Sequence, residues 1–178
     1  MVMEEFGDLT LYDRVGTLGD GLTHDELLAH EFATVTASYE DVREFVLAKA
    51  RVRPGFHELV ERYDPLVISG TFHELIEPVL EREGVFVQLL ANRVEPRPEG
   101  WRVVLRDGAV CEFCGEGCKR AALPEGEVVY VGDGYSDRCA ALAASRVFAR
   151  DGLAVYLNER GVTYTAFDDL WDVARGLG

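Results

Sequence analysis

A stretch of ten residues, VVYVGDGYSD from residue 128 to 137, constrains the fold of this chain more than any other. Its first four residues are uncharged and are β-branched or aromatic, which favours a buried strand. A Gly-Asp-Gly turn centred on Asp133 follows, and the alanine-rich segment 138–144 after it favours a helix. In open α/β sheets, ligands bind at the carboxyl ends of the strands. The stretch therefore predicts an α/β fold with Asp133 at a ligand-binding edge.

Two carboxylates follow this strand at a short spacing. Asp133 and Asp137 are four residues apart, so both could face one point across the turn. Converging carboxylates repel each other unless a cation lies between them, and Mg2+ is a hard cation that prefers oxygen ligands. The pair thus predicts a magnesium site. The alternative is that Asp133 only shapes the turn and Asp137 only caps the helix.

The charge of the chain argues against two classes of partner, unless a local basic patch exists. The 178 residues carry 18 Lys and Arg against 32 Asp and Glu, a net charge of −14. Nucleic acids and anionic membranes repel such a chain. No long apolar run and no basic-then-apolar leader occurs in the sequence, so we expect a cytoplasmic location. The length fits one domain with a small added subdomain.

The pattern of apolar residues in the sequence changes after residue 52. Residues 1–52 place apolar side chains at three- and four-residue intervals and predict a small helical cap, with helix starts at Thr23 and Ser38. Residues 53–178 alternate strand and helix signals, which predicts a Rossmann-like parallel sheet flanked by helices. The predicted strands are 66–68, 85–90, 128–131, 146–149 and 154–157, with a β-hairpin of 101–105 and 109–111. The predicted helices are 56–63, 72–83 (kinked or broken at Pro78), 138–144 and 167–175.

Three polar sites follow predicted strands in chain order: Ser69-Gly70-Thr71, Lys119, and the pair of aspartates. A hydroxyl and backbone N–H groups at a helix start form an oxyanion site, and an ammonium neutralises a phosphoryl group. With Mg2+ these are the parts of a phosphoryl-transfer site. Taken singly, Ser69 is more often a helix cap and Lys119 is more often a solvated surface lysine.

These motifs resemble those of the haloacid dehalogenase-like phosphatases over roughly residues 50–178. LVISGT (66–71) is similar to the second motif of that family, the lysine of CGEGCKR (114–120) to the third, and VVYVGDGYSD to the fourth, which is the most specific. The segments 148–151 and 157–159 resemble the phosphoserine phosphatase-like branch. That branch includes the 2-hydroxy-3-keto-5-methylthiopentenyl-1-phosphate phosphatases.

The resemblance implies a Mg2+-dependent phosphatase of a small phosphorylated metabolite, acting through an aspartyl-phosphate intermediate. It implies that the phosphoryl group is bound by Ser69, Gly70, Thr71 and Lys119, and that Ser69 and Lys119 act in catalysis. Asp133 would ligate Mg2+, and Asp137 would ligate the ion or orient its waters. Arg53, at the junction of cap and core, suits a substrate contact; a solvated hinge arginine is the alternative.

The first motif of the family, DxDxT, does not occur in the 178 residues. It supplies the attacking aspartate and the general acid/base, and its strand lies in the middle of the sheet. We therefore expect that the first central strand is missing, that the chain is poorly stable or forms a homodimer, and that it has no phosphatase turnover. A start codon assigned too far downstream, a shortened chain or a true loss of catalysis would each explain this.

Two other functions stay open at this point. One is a non-catalytic module of the same fold that binds phosphate and Mg2+. The other is a Rossmann protein that binds a nucleotide cofactor, because a strand, Gly-x-Gly and a helix also form a nucleotide fingerprint. An acid beside the expected pyrophosphate and the missing third glycine argue against the second.

Cys111, Cys114 and Cys118 form a C-x2-C-x3-C cluster, and Cys139 is the one further cysteine. The first gap suits a metal knuckle, but no fourth ligand is evident nearby in the sequence. We expect reduced structural thiols near the mouth of the active site, with a zinc site as the alternative.

Overall fold

The computed structural model describes residues 1–106 and 111–178, and the chain divides into two compact units. The first unit comprises Met1–Arg51 and Ser69–Asp107, and the second comprises Val52–Ile68 and Gly108–Gly178. The first boundary falls next to the predicted end of the cap, at residue 52. Residues 69–107, however, group with the N-terminal helices. The functional division into a cap and a catalytic core stays a prediction.

Helices and strands alternate through most of the chain after residue 55. The longest described helices have 11 residues, and none of those described is long and apolar enough to cross a membrane. Two short 3-10 turns, Lys119–Ala122 and Tyr135–Asp137, precede and follow β4. The elements are α1 Val2–Phe6, α2 Leu11–Val15, α3 His24–Phe32, α4 Tyr39–Lys49, α5 Phe56–Tyr63, β1 Leu66–Phe72, α6 His73–Glu83, β2 Gln88–Glu95, β3 Arg102–Val104, β4 Val129–Gly132, α7 Arg138–Ala141, β5 Arg146–Ala149, α8 Asp151–Glu159, β6 Thr165–Ala166 and α9 Leu170–Leu177.

Side-chain caps start the two long N-terminal helices. The Thr23 hydroxyl accepts a hydrogen bond from the Glu26 N–H at 3.2 Å, and the Glu26 carboxylate accepts one from the Thr23 N–H at 2.9 Å. This capping box satisfies backbone donors that a helix start leaves without a partner. The Ser38 hydroxyl caps α4 through the Asp41 N–H at 3.2 Å. Both predicted helix starts are therefore confirmed.

Helix α6 runs unbroken through Pro78, so of the kink or break predicted there the break does not occur, and the kink stays a prediction. Proline has no N–H, which leaves the carbonyl of Glu74, four residues earlier, without its helical donor. The Tyr39 hydroxyl from α4 donates to that carbonyl at 3.0 Å. The neighbouring helix thus satisfies the group that proline would leave unpaired.

Tyr39→Phe is expected to lower the free energy of unfolding by about 1 kcal/mol, because it leaves the part-buried carbonyl of Glu74 without a donor. Urea denaturation measures the loss. Pro78→Ala is the matched control, because alanine at position 78 restores the helical N–H. In the Pro78→Ala background the Tyr39→Phe cost should largely disappear; an equal cost in both backgrounds would contradict this account.

Strands β1, β2 and β3 form a three-stranded sheet in that order, and all of it except residues 66–68 of β1 belongs to the first unit. β2 and β3 are antiparallel, with Arg93 opposite Val104 and Glu95 opposite Arg102, so these two strands form a β-hairpin. Of the predicted hairpin of 101–105 with 109–111, the first strand is confirmed as β3, and its pairing with 109–111 stays a prediction. Its Asp-Gly turn and residues 109–110 lie outside the described residues. The strand predicted at 85–90 begins later and extends through Asn92.

The second unit contains the parallel sheet, in the order β4-β5-β6. Alternate residues of β5 face opposite sides of it. Val147 and Ala149 pack with the buried residues of α7 and α8, whereas Phe148 packs with residues of α5 and α9. Helices therefore cover both faces, which confirms the predicted α/β class. Within the described residues, β4 has a strand neighbour on one side only.

The segment predicted as a strand at 154–157 lies in helix α8, so that prediction is wrong. Leu153 and Leu157 are fully buried, whereas Val155 between them is 58% exposed. Burial at a spacing of four residues is that of a helix, and a strand would have buried every second side chain. The last strand, β6, has two residues and was not predicted.

The segment that opens α5 lies against the start of α9. The Pro54 carbonyl accepts a hydrogen bond from the Leu170 N–H at 2.9 Å. Gly55 has φ +87°, and a Cβ there would collide with the backbone of Leu170 and Trp171. Only glycine fits both the left-handed backbone and the close approach.

Candidate functional site

Asp137 is the buried centre of the candidate site, with 3% of its surface exposed. It ends the turn that follows β4, and both of its carboxylate oxygens accept two hydrogen bonds. Oδ1 accepts from the Lys119 ammonium at 2.6 Å and from the Tyr130 hydroxyl at 2.8 Å. Oδ2 accepts from the backbone N–H groups of Asp133 at 3.0 Å and Gly134 at 2.9 Å. These four donors fill the acceptor capacity of an ionised carboxylate.

Burial raises the pKa of Asp137, but the charge of Lys119 and the hydrogen bonds from Lys119, Gly134 and Tyr130 outweigh it, so the pKa lies below its usual range. Asp137 is therefore ionised at neutral pH. Burial, together with the negative charge of Asp137, raises the pKa of Tyr130. Tyr130 consequently keeps its proton and serves as a donor.

Gly132 allows the carboxylate to sit this close to the strand. A Cβ on Gly132 would lie 2.7 Å from Cγ of Asp137, whereas one on Gly134 would lie 3.9 Å from its Oδ2. The first distance is a clash and the second is an ordinary contact. The first glycine of the Gly-Asp-Gly turn is thus required by packing against Asp137.

Asp133 presents a half-exposed carboxylate beyond the end of β4. Its side chain is 50% exposed, and its Oδ2 accepts from Arg53 Nη2 at 3.1 Å. The Asp133 carbonyl accepts the Leu153 N–H at 3.0 Å, which fixes the turn to α8. The structure therefore brings together Arg53 and Asp133, two predicted site residues that are 80 positions apart. The role of Arg53 in substrate binding stays a prediction.

Lys119 is not a solvated surface lysine, because its side chain is only 15% exposed. It begins the 3-10 turn 119–122, directly after Cys118. The ion pair with Asp137 holds its ammonium at the carboxyl end of β4. Sequence reasoning placed Lys119 at the site but did not predict this pairing, and it did not assign Tyr130 a role.

Ser69, Gly70 and Thr71 lie within strand β1 of the first unit. The Ser69 hydroxyl accepts the Thr71 N–H at 3.1 Å. It is not a helix cap, since the residue before α6 is Phe72 and no side chain caps that helix. Their predicted contact with a phosphoryl group stays a prediction.

Asn92 supports this strand and was not anticipated as a site residue. It is 9% exposed and lies on β2. Its amide donates to the Gly70 carbonyl at 3.0 Å, and its side-chain oxygen accepts the Arg106 N–H at 2.9 Å. The signal in the sequence was an amide inside an otherwise apolar run. Asn92 fixes the backbone at Gly70 within the first unit.

The two predicted metal ligands differ in what they can offer an ion. All acceptor positions of Asp137 are taken by donors, whereas Asp133 keeps half of its surface exposed. Mg2+ is commonly held by one or two carboxylates together with water and substrate phosphate. The donor set therefore fits a magnesium ion bound through Asp133 and favours an orienting role for Asp137.

The fold and these charged residues define an α/β protein of the kind that binds ligands at the carboxyl edge of a parallel sheet. Within that class, the chain belongs to the haloacid dehalogenase-like hydrolases, because the sequence model of that family matches residues 6–142.

Three curated proteins are similar in sequence to this chain. The 2-hydroxy-3-keto-5-methylthiopentenyl-1-phosphate phosphatase of Bacillus cereus (strain B4264) is 27% identical over 154 residues, which cover 80% of this chain and 70% of the relative. The enzyme of that name from Bacillus velezensis is 27% identical over 194 residues, which cover 99% of this chain and 81% of the relative. The bifunctional enzyme MtnB/MtnX of Bacillus licheniformis is 29% identical over 177 residues, covering 91% of this chain and 41% of the relative.

A solved structure supports the fold. The phosphoserine phosphatase from T. onnurineus superposes with a TM-score of 0.62 at 19% identity, covering 97% of this chain and 84% of that one. At this identity the likeness concerns the fold alone.

Proposed function

We propose that the chain belongs to a Mg2+-dependent phosphatase of a small phosphorylated metabolite. We further propose that turnover needs a DxDxT segment, which the 178 residues do not contain. The observation that carries the proposal is the buried Lys119–Asp137 pair beside the half-exposed Asp133 at the carboxyl end of β4. The names of the curated relatives support the same reaction.

Lys119 carries the positive charge that the transferring phosphoryl group requires. Asp137 holds that ammonium 2.6 Å away and, through the backbone of Asp133 and Gly134, also fixes the turn that presents Asp133. Asp133 would hold Mg2+ by one oxygen. The ion supplies further neutralisation of phosphate charge. A single buried carboxylate thus orients both the ammonium and the metal ligand.

Arg53 and the strand segment Ser69-Gly70-Thr71 are the proposed phosphate and substrate contacts. Arg53 already binds a carboxylate through one guanidinium nitrogen at 3.1 Å, and a guanidinium binds phosphate oxygens in the same geometry. Thr71 is an exposed residue of β1. The Ser69 and Thr71 hydroxyls and the Arg53 guanidinium could each donate a hydrogen bond to a phosphoryl oxygen.

The substrate class follows from the relatives. Two of them are named for 2-hydroxy-3-keto-5-methylthiopentenyl 1-phosphate, so this compound and other small sugar-like monophosphates are the first substrates to test. The net charge of −14 fits a small substrate better than a nucleic acid.

The test compares two chains. The 178-residue chain is expected to bind Mg2+ and inorganic phosphate, as measured by calorimetry, but to release no phosphate from these substrates. A chain extended into the upstream reading frame, if that frame encodes DxDxT, is expected to release phosphate only when Mg2+ is present. Asp133→Asn in each chain is the control for metal binding. Mg2+-dependent turnover by the 178-residue chain would contradict the proposal.

One alternative has an observation in its favour. A module of the same fold that binds phosphate and Mg2+ without hydrolysis fits a chain in which DxDxT is not found. An upstream frame without DxDxT, together with phosphate binding and no turnover, would favour that module. Membership of the hydrolase family argues against the third hypothesis, a Rossmann cofactor protein.

A further inference from the structure

All four cysteines of the chain converge on one point. The Sγ atoms of Cys111, Cys114, Cys118 and Cys139 all lie within 4.8 Å of one another, and those of Cys111 and Cys139 are 3.6 Å apart. A disulfide has sulfurs about 2.05 Å apart, so these are free thiols. Four sulfurs around one tetrahedral zinc ion, with bonds of about 2.3 Å, lie about 3.8 Å from one another. The cluster is therefore close to the size that a zinc tetrathiolate requires.

The backbone around the first two cysteines is folded into a tight turn. The Gly115 N–H donates to the Cys111 carbonyl at 2.8 Å, and the Cys111 N–H donates to the Glu116 carbonyl at 2.9 Å. Gly115 has φ +72°, a left-handed conformation that suits glycine. The turn brings the thiols of Cys111 and Cys114 to one side. A glycine directly after the second cysteine is what such a turn requires.

Backbone N–H groups also point at the sulfurs. The N–H groups of Phe113 and Cys114 donate to Cys111, and the N–H of Arg120 donates to Cys118. Hydrogen bonds of this kind orient a metal-ligating group and stabilise its charge. Backbone donors thus lie beside two of the four sulfurs.

We propose that Cys111, Cys114, Cys118 and Cys139 bind one structural zinc ion. Four soft sulfur donors select zinc or iron, and four protein ligands leave no open position for substrate, which is typical of structural zinc. A zinc tetrathiolate carries a charge of −2. Cationic residues adjoin the ligands in sequence: Lys119 and Arg120 follow Cys118, and Arg138 precedes Cys139.

The position of the zinc site next to Lys119 and Asp137 suggests a structural role for it. Cys118 directly precedes Lys119, and Cys139 comes two residues after Asp137. The ion would therefore join the two segments whose side chains form the 2.6 Å ion pair. This consequence rests on the described geometry of the second unit and not on the proposed function.

Metal analysis of the purified chain tests the proposal. Elemental analysis is expected to find one zinc per chain, and titration with a mercurial reagent should release the zinc as the thiols react. Exchange with Co2+ should give the sulfur-to-cobalt charge-transfer band and the visible bands of a tetrahedral tetrathiolate. These measurements use the wild-type chain, so they do not depend on any variant being able to fold.

Variants give a second test. Cys114→Ser and Cys139→Ser should each lose the bound zinc and lower the Tm, whereas Glu112→Gln, an exposed residue between two of the ligands, should keep one zinc per chain. Addition of a chelator should lower the Tm of the wild type but not that of the cysteine variants. A chain expressed and purified with zinc supplied that still has four reactive thiols and no bound metal would overturn the proposal. So would stoichiometric iron, or a Cys111–Cys139 disulfide found by mass spectrometry.

Discussion

Asp137→Asn is expected to lower the free energy of unfolding by about 3 kcal/mol, because it removes one partner of a buried ion pair. The wild-type carboxylate accepts hydrogen bonds from four donors while only 3% exposed. Asparagine keeps one acceptor oxygen and turns an NH2 group toward the remaining donors. The ammonium of Lys119 is then left buried without its counter-charge.

Urea denaturation at neutral pH measures this loss. Asp133→Asn is the matched control, since the same chemical change at a side chain 50% exposed should cost less than about 1 kcal/mol. A double-mutant cycle with Lys119→Met separates the pair from the other hydrogen bonds. In that background the additional cost of Asp137→Asn should be much smaller. Equal costs for the two asparagine variants would contradict the buried-pair account.

The same carboxylate predicts acid sensitivity. Burial raises the pKa of Asp137, but Lys119 and the other donors bring it below the ordinary value of 3.8. A lowered pKa in the folded state stabilises the fold above the unfolded value, and this contribution is lost as the pH falls toward the folded pKa. Below about pH 4, the wild type should therefore lose stability more steeply than Asp137→Asn. Equal slopes for the two chains would contradict this.

Lys119→Ala, in a chain that carries DxDxT, is expected to lower kcat/KM by about 10²- to 10³-fold, the effect of removing one preorganised electrostatic donor. This prediction rests on the proposed function. The side chain of Lys119 is 15% exposed and is held by Asp137, so its charge is already positioned before substrate binds. Water can replace its charge only poorly in such a site.

The chain offers a close control for this experiment. Lys49 is its other lysine and lies at the exposed end of α4, so Lys49→Ala should change kcat/KM by less than about twofold. Lys119→Arg keeps the positive charge and should retain more activity than Lys119→Ala. Because Lys119→Ala also disturbs a buried pair, its fold is verified by circular dichroism and its metal content by elemental analysis. Nearly full activity in a folded Lys119→Ala variant would exclude the proposed role.

Local signals predicted most of the elements but not all of them. The caps at Thr23 and Ser38, and the run of β-branched and aromatic residues that forms β4, depend on neighbouring residues and can be read directly. The apolar residues 153–157 fit both a strand and a helix until burial of Leu153 and Leu157 shows the helical spacing. The continuity of α6 depends on a hydroxyl from another helix, which no local pattern contains.

The candidate site shows the same division between local and distant information. The sequence predicted that Asp133 and Asp137 would need a cation, and the nearest one to Asp137 is the Lys119 ammonium. The two carboxylates differ in environment. Asp137 is buried and accepts hydrogen bonds from four donors, whereas the Asp133 side chain is half exposed. The Arg53–Asp133 ion pair joins residues 80 positions apart and follows from the tertiary fold alone.

The hydrogen bond between Pro54 and Leu170 makes the candidate site depend on a segment that carries none of its charged residues. The residue just after Arg53 is held by the start of α9. Removal of α9 would leave every charged residue of the site in the sequence and would still take away the backbone contact next to Arg53. Deletion variants therefore need α9 if the Arg53–Asp133 pair is to be preserved.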